Sequence, residues 1–125
     1  TGSTWQKTDL TGSIAAGAYY LIQENAGSGG TTALPTPDAT GTISMSGTKF
    51  KLALVNSTTL LTGANPTSDT SVVDFVGFGN ADAFEGTVAP ELSNTTSGQR
   101  TSFVDTNDNG ADFATVATDL SYLAG

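Results

Sequence analysis

The residues best equipped for chemistry sit together in "DTNDNGAD", Asp105 to Asp112, which sets three acids and two amides around one glycine. Asp105, Asn107 and Asn109 place side-chain oxygens at alternate positions, and Gly110 permits a sharp bend, so the run matches the first six positions of the calcium-loop pattern D-x-[DN]-x-[DN]-G. Calcium takes about six to eight oxygens. The candidate cation set is therefore Asp105, Asn107, Asn109 and Asp112, with calcium as the cofactor such a loop would hold. The twelfth position, a bidentate Glu in a helix-loop-helix site, is Val116 here, and no helical pattern flanks the run. That excludes an ordinary calcium hand. The competing reading is a tight connection in which Asp and Asn side chains bond their own backbone and Gly110 takes a positive φ. It ranks first, and the cation second.

Other chemistry is limited by what is missing. The chain has no His and no Cys, so a Ser-His-Asp triad and a thiolate nucleophile are both impossible, and zinc ligation would rest on carboxylates alone. Asp82 and Glu85 bracket Phe84 and form the nearest thing to a hydrolytic acid pair, but surface solvation is the plainer role for them. Trp5, Tyr19, Tyr20 and Tyr122 could stack on sugar rings, although aromatic residues in strands more often serve packing. Asn56 in "NST" and Asn94 in "NTT" fit the glycan-acceptor pattern, which matters only in a secretory host.

The elements that position these residues read as strands. "AYYLIQE", Ala18 to Glu24, has the composition of a central strand buried on both faces. The run from Asn25 to Gly41 carries glycines and two prolines and reads as a long loop. "TISMS", Thr42 to Ser46, alternates with Ile43 and Met45 inward, and after a turn at Gly47 "FKLALV", Phe50 to Val55, puts Phe50, Leu52 and Leu54 on one face. The pair predicts a hairpin. "SVVDFVGFG", Ser71 to Gly79, is a further strand whose alternation sets Asp74 on the face of Val72, Val76 and Phe78. An acid there needs a partner. Arg100, the lone arginine, has the forked geometry to supply one, and is paired with Asp74 or Asp105. "TSFVD", Thr101 to Asp105, and "DFATV", Asp112 to Val116, predict short strands flanking the acidic loop, and the tail from Ala117 predicts a helical turn or an extra strand. Together these give an all-β domain of 125 residues, two packed antiparallel sheets forming a sandwich.

Twelve acids against four bases give a net charge of −8, which repels phosphate backbones and anionic lipid headgroups. No nucleic-acid partner is expected. Charged residues are only 13% of the chain, about half the usual share, which suits a hydroxyl-rich surface of the kind common outside cells. No apolar run approaches the roughly 18 residues of a membrane span. A chain starting at Thr1 without a basic leader reads as a processed or excised piece.

Laid in order, "LTGSIAAGAYYLIQE", "LPTPDATGTISMS", "KLALVNSTTLLTG", "VVDFVGFGNADAFEGT", "SNTTSGQR" and "DTNDNGADF" make the chain resemble the lamin-tail domain, in the version appended to secreted bacterial nucleases, phosphatases and surface proteins. The resemblance runs from Trp5 to Phe113. It implies an immunoglobulin-like β-sandwich acting as a non-catalytic accessory or interaction module, extracellular or at the cell surface. Two departures stand out. Asn65 and Ala83 occupy positions where many bacterial members carry cysteines, and the family's first strands, ahead of the segment matching Trp5, are missing. A sandwich lacking those strands has an open edge, so the expected partner is another protein or an identical subunit pairing through that edge, with a filament built by strand complementation as one outcome. The alternative is an accessory domain of a secreted nuclease or phosphatase that binds substrate or cell wall.

Overall fold

Two largely apolar runs, FKLALV and VVDFVGF, make the longest strands of the computed structural model, which describes residues 2–28 and 33–118. In chain order the elements are β1 (Ile22–Gln23), β2 (Ala39–Thr40), β3 (Phe50–Val55), β4 (Val72–Phe78), β5 (Thr96–Arg100), a 3-10 turn (Thr101–Phe103), α1 (Asn109–Asp112, a single turn) and β6 (Phe113–Ala117). The chain is all-β with almost no helix. Its strands pair as β1-β2, β3-β4 and β5-β6, the first pair parallel and the other two antiparallel. No helix among the described residues is long and apolar enough to cross a membrane.

The chain divides into two compact units, Gln6–Met45 and the combination of Thr1–Trp5 with Ser46–Gly125. Within Gln6–Met45, β1 and β2 pair over only two residues, Ile22 with Ala39 and Gln23 with Thr40. The expected buried central strand from Ala18 to Glu24 is not formed: Ile22 and Gln23 are both exposed, and Tyr19 is 64% exposed. Proline chemistry explains the short pairing. The backbone N–H of Leu21 goes to the Asp38 carboxylate at 2.7 Å, and the residue before Asp38 is Pro37, which has no N–H to continue a ladder. Further along, Glu24 accepts from the Ile43 N–H at 3.0 Å and from the Thr8 hydroxyl. The predicted strand at 42–46 is absent as well, with Met45 39% exposed, because only single bonds such as Asn25 N–H to Ile43 C=O tie it down.

In the second unit β3 pairs with β4 rather than with 42–46, matching Phe50 to Phe78, Lys51 to Gly77, Leu52 to Val76 and Ala53 to Phe75. A register shift between Leu54 and Val55 pairs Val55 with Val72, leaving Val73 as the extra, outward-facing residue of a bulge. One face of this sheet carries Phe75, which is fully buried under the edge of Trp5 at 5.9 Å between ring centroids. Trp5 donates its indole N–H to Gly63 C=O at 2.9 Å, and the Lys51 ammonium lies 4.9 Å over its ring. Its place is in packing. Gly77 allows the segment around Ala81, Ala83 and Phe84 to close over this face, since a Cβ there would strike the Ala83 carbonyl.

The opposite face meets the β5-β6 pair. Phe78 sits 5.0 Å from Phe50 and 5.3 Å from Phe113 between centroids, and Gly98 in β5 lets the Phe78 ring approach its backbone. The strand expected over 101–105 is instead a tight turn in which Ser102 and Phe103 hold φ of 58° and 54°. The strand lies just before it, at Thr96–Arg100, in a sequence with no hydrophobic alternation to announce it. The tail beyond Thr118, with Tyr122, lies outside the described residues.

Candidate functional site

The acidic loop is built as a connection whose side chains serve its own backbone. Asp105 Oδ1 accepts from the Asn107 N–H at 2.9 Å, and Asn107 itself takes φ 57°. Asp108 caps α1, accepting from Ala111 N–H at 3.4 Å, and also accepts from the Thr87 N–H and hydroxyl at 2.9 and 2.5 Å. Those two Thr87 bonds, the hydroxyl first, hold its carboxyl below the usual range. Gly110 is helical rather than left-handed, which corrects the expected positive φ; the left-handed residue is Asn107. What Gly110 provides is space, since a Cβ there would meet the Thr87 hydroxyl and, at 2.9 Å, the Val88 carbonyl.

Two of the four candidate cation ligands are committed elsewhere. Asn109 is fully buried; its Oδ1 accepts from the Gly77 and Glu85 N–H groups and its Nδ2 donates to Phe75 C=O, each at 3.0 Å. Asp112, 3% exposed, accepts from the Thr106 N–H at 2.8 Å and hydroxyl at 2.6 Å, the hydroxyl being the main reason its carboxyl is held below the usual range. Asn109 thus spends its carboxamide oxygen on two backbone donors, while each Asp112 oxygen accepts one bond. Asp105 and Asn107 remain exposed on the loop.

Arg100 and Asp74 come together. The guanidinium donates from Nη1 to Asp74 Oδ2 at 2.8 Å and from Nη2 to Asp74 Oδ1 at 3.1 Å, the parallel fork that arginine alone provides. Asp105 lies 3.8 Å from Nη2. The guanidinium also stacks 4.8 Å from the Phe113 ring centroid, and its pKa is raised, chiefly by the Asp74 hydrogen bond.

Glu85 joins this group, which sequence reading placed on the solvated surface. One oxygen each from Asp74, Glu85 and Asp105 lie within 4.8 Å of one another. Burial pushes the Glu85 carboxyl up, Asp74 and Asp105 add to the rise, and Arg100 opposes it. Its Oε2 is buried with no hydrogen-bond partner among the described residues. Asp82, its proposed companion, is instead bound to the Lys51 ammonium at 2.8 Å and the Gly2 N–H at 2.6 Å, and Lys51 is the first cause of its lowered pKa. Asp82 is ion-paired, and Glu85 makes no salt bridge among the described residues. A signal for Glu85 existed in "AFEG", an acid between an apolar residue and a glycine, but nothing in that spacing points to Asp74.

The donor chemistry of this cluster is an arginine salt bridge with surplus acid. The guanidinium brings one positive charge to three carboxylates, hydrogen-bonded to Asp74 and 3.8 Å from Asp105. No family model, curated protein or solved structure matches the chain.

Proposed function

We propose that this chain is a non-catalytic structural or interaction module of the lamin-tail kind, an immunoglobulin-like β-sandwich exported to the cell surface or beyond, which assembles with other protein through an open sheet edge. The observation that carries this reading is β3: among the described residues its only backbone ladder is with β4, and on its flank Leu52 and Leu54 are 49% and 47% exposed. Half-exposed leucines beside an unpaired edge are a template for another strand. The facing of β3-β4 and β5-β6 across Phe78, Phe113 and the Arg100–Asp74 bridge supports a sandwich. No catalytic role is assigned to any side chain, and the low-charge, hydroxyl-rich composition supports an extracellular setting.

Sedimentation velocity of the chain across a wide concentration range tests the assembly reading. Mass that rises with concentration is expected; a monomer at every concentration removes it.

A second reading, an accessory domain of a secreted nuclease or phosphatase that binds substrate or cell wall, draws support from Tyr19, an aromatic ring 64% exposed in the Gln6–Met45 unit. Pull-down on insoluble cell-wall polysaccharide, lost in Tyr19→Ala, would favour it.

A further inference from the structure

The β3-β4 sheet is closed on one edge and open on the other. Along β4, Asn109 takes the Gly77 N–H and the Phe75 C=O. Ala89 gives its N–H to Gly77 C=O and accepts from the Gly79 N–H, both at 2.9 Å. All of these β4 groups point away from β3. In an antiparallel pair, residues directly opposite share that orientation, so Lys51, opposite Gly77, and Ala53, opposite Phe75, direct their N–H and C=O groups away from β4. Val55 does the same, because the next N–H, of Asn56, is the one bonded back to Ser71. Among the described residues the N–H and C=O groups of Lys51, Ala53 and Val55 have no backbone partner.

We propose that this edge pairs with the same edge of a second copy, antiparallel about a twofold axis passing beside Ala53. The proposal rests on the edge-assembly reading above and names its partner. The strand is self-complementary about that point. Ala53 meets Ala53 of the second copy and Lys51 meets Val55 in hydrogen-bonded pairs, while Leu52 meets Leu54 in the non-hydrogen-bonded pairs, where Cα atoms come within about 4.5 Å and side chains are closest. Four half-exposed leucines thereby cover one another, two from each copy.

Charge permits this contact. Two copies each carrying −8 repel over most of their surface, so contact requires a patch whose acids are paired, as Asp82 beside this edge is with Lys51. The only charged residue of β3 is Lys51. Its side chain is 5% exposed, and its ammonium is bound to Asp82 and to the Gly2 and Ala64 carbonyls at 2.8, 2.7 and 2.5 Å. The strand thus lacks the exposed lysines and prolines that keep sheet edges apart. Being only six residues long, it offers less area than the ~1,200 Å² total typical of stable complexes. The pairing is therefore reversible, and it tightens as salt screens the repulsion between copies.

Sedimentation velocity with and without added salt, combined with single-cysteine crosslinking, tests the proposal. The natural chain has no cysteine, so Ala53→Cys reports this contact alone. A Cα separation of about 5.5 Å in a hydrogen-bonded pair lies within disulfide reach. Ala53→Cys is expected to form a covalent dimer, whereas Thr59→Cys, in an exposed turn, is not. Ala53→Pro removes an N–H that β4 does not use and should abolish association. Leu52→Lys, at a half-exposed position, should do so without the backbone change, with circular dichroism checking the fold of each. Association that persists in both folded variants overturns the proposal. If Ala53→Pro and Leu52→Lys block assembly but Ala53→Cys gives no covalent dimer, the edge receives some other strand and the twofold pairing is wrong, while the edge-assembly reading stands. A monomer under all conditions removes both.

Discussion

Asn109 closes the edge of β4 at Gly77: its carboxamide oxygen accepts the Gly77 N–H at 3.0 Å, where a neighbouring strand would otherwise supply a carbonyl. The same side chain donates to Phe75 C=O and accepts from Glu85 N–H, so one amide serves three backbone groups in a fully buried position. Replacing it with Ala strands those groups. With about 1–3 kcal/mol for each buried unsatisfied group, Asn109→Ala should lose about 3 kcal/mol or more in urea unfolding. Asn109→Asp should be no better at neutral pH, because a carboxylate cannot donate to Phe75 C=O.

The role of Asn109 also marks where sequence reading stops. Its position in "DTNDNGAD" suggested a ligand because alternate oxygens fit the calcium pattern, and spacing carries no information about a backbone 32 residues away at Gly77. β3 was legible because Phe50, Leu52 and Leu54 alternate on one face, β4 because β-branched and aromatic residues fill it, and Asp74 because an acid on an apolar face demands a partner and only one arginine is present. β5 was not, since Thr, Ser, Gly and Gln pair by backbone alone and show no period. "AYYLIQE" failed in the other direction. Its apolar content is strand-like, but a strand needs a partner backbone with donors, and Pro35 and Pro37 lie just ahead of the segment it pairs with.

Arg100 and Asp74 should behave as a unit. Breaking a buried pair costs about 3–5 kcal/mol and an exposed one under about 1 kcal/mol. With side chains 20% and 31% exposed, Arg100→Met or Asp74→Asn should cost about 1–2 kcal/mol. Arg100→Lys should recover only part of that, since an ammonium cannot make the fork. In a double-mutant cycle, Arg100→Met with Asp74→Asn should be less destabilised than the two single losses summed. Simple additivity would show that the two residues are not coupled.

Gly98→Ala probes whether the two antiparallel pairs pack face to face. A Cβ there would overlap the Phe78 ring, lying 2.8 Å from its Cζ, and a ring held between Phe50 and Phe113 has little freedom to withdraw. Overpacking of this kind costs about 1–3 kcal/mol. Adding Phe78→Leu to Gly98→Ala should recover part of the loss, and an unchanged denaturation midpoint for Gly98→Ala alone would argue against the packing.

Acidification should act on Glu85 in the opposite sense to the other shifted acids. Asp69, Asp82, Asp108 and Asp112 have lowered pKa values, so their stabilisation is present above the unfolded value of about 3.9 and fades as pH falls through the folded ones. Glu85 is raised by burial. Its protonated form favours the fold below the unfolded value near ~4.3, and that contribution is lost as pH rises through the folded value. Glu85→Gln should therefore be more stable than the natural chain at neutral pH, with the advantage shrinking toward pH 4. Parallel urea titrations across that range measure the difference directly, and a gap independent of pH would mean that Glu85 does not titrate in the cluster.

Calcium should leave the thermal midpoint where chelator leaves it. A cation bound only in the native state raises the midpoint as its concentration rises, but the side chains of Asn109 and Asp112 are spent on Gly77, Glu85, Phe75 and Thr106. Next to the loop, Asp74 is held by the Arg100 guanidinium, and a divalent ion entering between Asp74, Glu85 and Asp105 would have to displace a charge already hydrogen-bonded in place. Scanning calorimetry with calcium and with chelator decides the point. A midpoint that climbs with calcium would mean that the loop opens its backbone hydrogen bonds to take the ion, and Asp105→Asn, which leaves the turn oxygen in place but removes a charge, should then abolish the rise.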